Sequence, residues 1–205
     1  AEHNWSNKYK KIIVNSRVKS SEFLLQSLVK HGCINQITHY ISASAIGIYP
    51  DPNDGILTEN SPPGNNFLGD VCRKWENVSD LWKEHGISVS IFRIGLVLSN
   101  KGGLLAAYQK PNTWNLFPVI GNSGAKWSWI HIGDLCSMIL GAVNRTIAPG
   151  TYNAVAPGVV DQKTFMKTLA GKRKKKFPFF PPVPAFLLRI FMGERTQIIT
   201  TDQNV

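Results

Sequence analysis

Two hydroxyls stand five residues apart in HYISASAIGIYP, residues 39 to 50. Ser44 lies at the end of a β-prone run, and Tyr49 comes just ahead of Pro50. A serine so placed can hydrogen-bond a ligand oxygen, and a phenol near the same sheet edge can donate a proton. Tyr49 can equally pack its ring at the base of the loop that follows. Ser42, Ala43, Ala45 and Gly47 are small, and Ile41, Ile46 and Ile48 frame them. A strand needs bulk to pack, so tiny side chains imply that a helix or a ligand approaches the backbone. For Ala43 and Ala45 a packed helix is a full alternative; Ser42 and Ser44 are taken as ligand-facing. Of the remaining titratable groups, His131 in SWIHIGD could change charge near neutrality, but its place just before a helix start also suits a structural role. Glu59 and Asp70 offer carboxylates near a loop and a helix start, with no partner legible in the sequence. Cys33, Cys72 and Cys136 lie far apart without CxxC spacing. That argues against a metal site or a disulfide framework and fits reduced, buried thiols of a cytoplasmic protein.

The elements that must position these groups follow from periodicity. Lys8 to Lys30 carries apolar residues near helical spacing and ends at Gly32, which predicts a long amphipathic helix. ITHYISAS reads as a strand. After a Pro-, Asn- and Gly-rich loop over 50–66, a second helix is expected from about Asn66 to His85, with Phe67, Val71, Trp75, Val78 and Trp82 on one face. ISVSIFRIGLVLS is a continuous apolar run, the pattern of a strand buried on both faces of a parallel sheet. GGLLAAYQK predicts a short helix and KWSWIHI a strand. Asp134 is expected to start a helix ending at Asn144, its carboxylate suiting the positive N-terminus. GTYNAVAP and VDQKTFMKTLA add a strand and a helix. Strands alternating with helices imply βαβ units in an α/β fold, a parallel sheet with helices on both faces. Ligands of such sheets bind beyond the carboxyl ends of the strands, which places SASAIG at the site.

Composition sets the outer bounds. With 205 residues, 43% hydrophobic, the chain can bury one substantial core. The apolar stretch Phe177 to Met192 is interrupted by prolines and Arg189, so it cannot span a bilayer, and no membrane partner is expected. The 23 Lys and Arg against 13 Asp and Glu give a formal charge of +10. A basic surface suits nucleic acid, membranes or anionic small molecules. GKRKKKF, residues 171 to 177, is read as a solvated loop, because no nucleic-acid motif accompanies it.

The ordered series KKIIVNSRVKSSEFL, ISASAIGIYP, FLGDVCRKWEN, FRIGLVLSNKGG, SWIHIGDL, YNAVAPGVV and PPVPAFLLRIFMGE resembles the epimerase-family atypical short-chain dehydrogenase/reductases. These are extended-like Rossmann proteins that bind NADP(H), with NAD possible. The resemblance implies a Rossmann-like domain over 1–170 and a small C-terminal α+β part over 171–205, both partial. The family's Gly-x-x-Gly-x-x-Gly turn, which holds the pyrophosphate on backbone amides, does not occur in this sequence. Residue 1 corresponds to the region after the family's fourth strand, and the sequence also stops early after RTQIITTDQNV. The expectation is therefore an internal fragment with strand edges left open.

The resemblance also implies residue roles. Ordinary short-chain dehydrogenases use a Tyr as acid/base, a Lys four residues later and a Ser on the substrate oxygen. Aligning on Glu76 of WEN puts Leu68 at the Tyr place and Cys72 at the Lys place, so of the three only Ser44 survives. Arg17 stands where the extended family commonly has an Asn facing the cofactor, and a guanidinium there can grip phosphate through two N–H groups. Gly69 would let the backbone approach the nicotinamide ribose. Ile94 and Gly95 match the segment that passes the nicotinamide, with Ser42 in the strand beside it. The expected function is an NADP(H)-binding oxidoreductase or nucleoside-sugar-epimerase-like protein with a degenerate active site, acting on an unidentified small molecule. A non-catalytic nucleotide-binding or sensor protein is the alternative. A nucleic-acid binder is favoured by charge alone.

Overall fold

The computed structural model describes residues 5–50, 55–103, 105–106, 117–120, 124–172, 178–184, 186, 193 and 204–205. The chain enters through helix α1, Asn7–Lys30, whose first turn is capped by Ser6 accepting from the Tyr9 amide. Strand β1, His39–Ala45, follows. Helix α2, Phe67–Lys83, begins at Asn66, whose side chain accepts from the Gly69 amide. Next comes β2, Ser88–Ile94, then the short β3, Leu96–Leu98. The expected single strand over 87–99 is thus two, because the chain changes neighbours at Gly95. The Gly95 amide donates to the Ala154 carbonyl, and the Leu96 amide to that of Ser128.

KWSWIHI is divided likewise, into β5, Lys126–Trp127, and β6, Trp129–His131; β4, Val119–Ile120, precedes them. Helix α3, Ile132–Val143, starts two residues earlier than expected. Its cap is His131, whose Nδ1 accepts from the Gly133 amide at 3.1 Å, while Asp134 sits inside the first turn. The last elements are β7, Gly150–Ala154, β8, Val160–Asp161, α4, Gln162–Lys172, and β9, Pro182–Val183. Of the helix expected in GGLLAAYQK, Gly103, Leu105 and Ala106 are helical; its remainder, the end of the basic run and most of 171–205 lie outside the described residues.

The main sheet is parallel, in the order β1-β2-β7, with Ser44 opposite Arg93 and Arg93 opposite Asn153. Helices cover both faces, as a parallel sheet requires. On one face Leu25 of α1 and Trp82 of α2 pack on Ile87, Val89 and Ile91. On the other, Leu135 and Ala142 of α3 pack on Phe92, Ile130 and Ala154. A second core forms around α4, where Met166 and Ala170 meet Phe117, Val119 and Trp127. Antiparallel β5–β8 and parallel β4–β9 flank it. No helix among the described residues is long and apolar enough to cross a membrane.

Candidate functional site

Side chains alternate along β1, so Tyr40, Ser42 and Ser44 share the face toward α2. Tyr40 stacks on Trp82 at 4.0 Å between ring centroids. Further along, Ser44 is 3% exposed and its hydroxyl donates to Glu76 Oε1 at 2.6 Å. A carboxylate only accepts hydrogen bonds and a serine has one proton to give, so this bond fixes the direction of the Ser44 hydroxyl.

Glu76 is held in turn by Arg93, which stands in the middle of the apolar sequence of β2. The guanidinium Nε donates to Oε1 at 3.0 Å and Nη2 to Oε2 at 2.8 Å. Both side chains are largely buried, 11% exposed for Arg93 and 13% for Glu76. The Arg93 Nη1 donates to the Tyr49 hydroxyl at 2.8 Å and to the Glu59 carbonyl at 2.9 Å. Tyr49 passes its own proton to Asn153 Oδ1 at 2.7 Å. The Asn153 backbone N–H, on the side of β7 away from β2, donates to the Glu59 carboxylate at 2.7 Å. One cation thereby ties β1, β2, β7, α2 and the segment around Glu59 together at the carboxyl end of the sheet, where such folds bind ligands.

Titration behaviour follows from this wiring. Burial pushes the Tyr49 phenol above its ordinary value, against the opposing pull of Arg93. Burial alone would lower the Arg93 value, but the bonds to Glu76 and Tyr49 outweigh it and the guanidinium stays charged. Cys72, one turn before Glu76 on α2, is buried against Ile46, Ile48 and Tyr49. Its thiol is pushed up to about 11, mainly by burial. The expectation of buried cysteines holds for Cys72; Cys33 is half-buried and Cys136 is exposed.

Beside Trp75 of α2 stands Arg17, half-buried on α1. Its guanidinium carbon lies 5.3 Å from the centre of the Trp75 ring. Nη1 donates to the Ile13 carbonyl at 3.0 Å, with Ser16 Oγ at 3.4 Å. Nε and Nη2 have no partner among the described residues. The charge of Arg17 acts on the Cys72 thiol, which packs with Ile46, Ile48 and Tyr49 just past the end of β1.

The remaining expected residues divide by what surrounds them. Ser42 is buried, its hydroxyl donating to the neighbouring Ala43 carbonyl at 3.2 Å, and Ile94 is half-buried at the end of β2. The close approaches at the two glycines come from the protein itself. A Cβ on Gly69 would lie 2.3 Å from the Gly64 carbonyl oxygen, and one on Gly95 would lie 2.7 Å from that of Ser128. Asp70 forms surface ion pairs with Lys74 and Arg73, and these lower its pKa. Arg93, Asn153 and the engagement of Glu59 and Glu76 were not foreseen. The available signal was Arg93 itself, a lone cation in an apolar strand, which must find a partner.

No family model matches the chain. It is 32% identical over 202 residues to the chloroplastic homologue of epimerase family protein SDR39U1 from Arabidopsis thaliana, covering 98% of this chain and 57% of that one. To an epimerase family protein of Staphylococcus haemolyticus it is also 32% identical, over 203 residues, 98% of this chain and 66% of the relative. The chain thus spans between about half and two thirds of the length of these relatives. Among solved structures, human epimerase family protein SDR39U1 (isoform 2) with NADPH superposes with a TM-score of 0.87 at 23% identity, over 99% of this chain and 68% of that one. A nucleoside-diphosphate sugar epimerase from Corynebacterium glutamicum gives 0.68 at 30% identity, over 100% and 45%.

Proposed function

Because this chain belongs to the epimerase family of atypical short-chain dehydrogenase/reductases, we propose that it is part of an NADP(H)-binding protein whose site lacks an ordinary dehydrogenase acid/base. The observation that carries this reading is on α2. At the places where an acid/base Tyr and its Lys would stand, Leu68 packs near Gly47 and Cys72 is a buried, protonated thiol. Neither supplies a phenol beside an ammonium, and the Ser44 proton is committed to Glu76.

The side chains present suit the anionic part of a dinucleotide. Arg17 has uncommitted N–H donors that match phosphate, and we assign it to the cofactor together with Ser42 and Ile94. Gly69 and Gly95 are assigned to packing, since neighbouring backbone fills the space beside them. NADP(H), which the human relative holds, would supply hydride chemistry when bound, and NAD is the related option. For a small-molecule substrate, a cavity of about 570 Å³ lies between Ile56, Lys126, Asp161 and Val205. A cytoplasmic setting, without nucleic-acid or membrane partners, belongs to the same reading.

A non-catalytic nucleotide-binding role is the second reading, favoured by one feature. Both candidate hydroxyls, Ser44 and Tyr49, spend their single proton on internal acceptors. Titrating the full-length protein with NADPH and then screening alcohols and sugar nucleotides for turnover tests both. Binding without simple alcohol oxidation is expected. Robust alcohol turnover that survives Tyr49→Phe and His131→Ala would overturn the proposal.

A further inference from the structure

We propose that Trp75 is a positioning residue for the ligand. Its indole face holds the Arg17 guanidinium so that the uncommitted N–H groups are preset for a phosphate. The inference rests on the assignment of Arg17 to NADP(H) and adds the residue through which that assignment works.

A free arginine samples many rotamers, and ordering it on binding has an entropic cost. Here much of that ordering is already present in the protein. The guanidinium carbon stands 5.3 Å from the Trp75 ring centre, within cation–π range. The Ile13 carbonyl, one turn back on α1, fixes Nη1 at 3.0 Å. Two contacts, one from each helix, hold the group, yet they occupy only one of its three nitrogens among the described residues. A structural arginine in the same molecule looks different: Arg93 has all three nitrogens bonded. The indole also leaves the donors unspent, because a ring face attracts the cation without consuming an N–H. An aspartate or glutamate at position 75 would pair with the guanidinium and repel a phosphate, whereas an aromatic residue orients the charge and leaves it intact. The placement fits the site as well. Cys72, three residues before Trp75, packs with Ile46, Ile48 and Tyr49 just past the end of β1.

The test uses the full-length protein with adenosine 2′,5′-bisphosphate, a phosphate-rich probe with no nicotinamide, at matched ionic strength. Trp75→Leu should weaken binding by roughly threefold to thirtyfold, the range of a cation–π contact. Trp75→Phe should restore most of the loss. Probe binding should change the indole emission of the wild type, and Trp75→Phe should remove most of that change. Weakening by Arg17→Ala with no effect of Trp75→Leu would overturn the positioning role and leave the assignment of Arg17 standing. Equal losses for Leu and Phe, or an emission change that persists in Trp75→Phe, would overturn it too. Unaltered affinity in Arg17→Ala would overturn both. Should Trp75→Leu fail to fold, the Phe variant and its emission decide alone.

Discussion

Helix α2 contacts two arginines that the same physics treats in opposite ways. Arg93 is buried, and its guanidinium meets two carboxylate oxygens, a phenol and a carbonyl. Arg17, against Trp75, is half-buried and shares one nitrogen with its own helix while resting on an indole. A buried guanidinium with most of its N–H groups unmet would bear a heavy desolvation cost, so near-saturation, four of five N–H groups in Arg93, marks a group that holds the fold. A cation that is oriented but unsaturated marks one that can still receive an anion. Charge and residue type are identical; the count of committed donors separates the two roles.

The largest effect should come from breaking the saturated side. Arg93→Ala leaves the Glu76 carboxylate, the Tyr49 phenol and the Glu59 carbonyl without their shared donor in a mostly buried site. Removing one partner of a buried ion pair costs on the order of 3 to 5 kcal/mol, a large part of a domain's stability. Urea unfolding of the full-length protein should show the loss, and Arg93→Met with Glu76→Leu should recover much of it. Arg17→Ala should cost little stability in the same assay. A comparable loss there would erase the distinction.

Cys72 lies between the two and offers the next effect. Its ordinary thiol value of 9.0 rises to about 11 in the folded chain, chiefly by burial. A raised value means that the folded state keeps a proton which the unfolded state releases. The associated stability is therefore complete below about pH 9 and is lost as the pH climbs to about 11, roughly 2 to 3 kcal/mol in all. Cys72→Ala should flatten that alkaline decline. Thiol labelling at neutral pH should modify exposed Cys136 and spare Cys72; rapid labelling of Cys72 would contradict its burial.

Most of the fold was legible because its signals are local. Helical spacing places α1 and α2 within two residues of their observed ends, and the alternation of strands with helices gives the parallel, two-faced sheet. What sequence missed depends on distant backbone. The split at Gly95 arises because Ala154 and Ser128 accept consecutive amides there, and no periodicity in 87–99 carries that information. Helix α3 begins at His131 because an imidazole nitrogen can cap as well as a carboxylate can. At the site, Ser44, Tyr49 and Arg17 were singled out by type, whereas their commitments were invisible. Glu76 is 17 residues from Arg93 along the chain and Asn153 is 104 from Tyr49. Only folding brings them together.

On the unsaturated side, Arg17→Ala in the full-length protein should weaken NADP(H) binding by about ten- to a hundredfold, the worth of a hydrogen bond to a charged group. Lysine should restore part of this, since a point charge cannot reproduce the fork. Isothermal titration at fixed salt measures it. Full recovery by lysine would mean that only charge matters at this position.

The smallest change refines the saturated side. Tyr49→Phe removes one hydroxyl that accepts from Arg93 and donates to Asn153, while the ring that lies 5.2 Å from the guanidinium carbon stays. Arg93 Nη1 keeps the Glu59 carbonyl, and the ion pair with Glu76 is untouched. The loss should therefore be about 1 to 2 kcal/mol, the cost of a single buried bond and the acceptor left beside it. NADP(H) affinity should not move, because the phenol proton serves Asn153. If affinity falls while stability holds, Tyr49 reaches the ligand after all, and the hydroxyl belongs with Arg17 on the open side of α2.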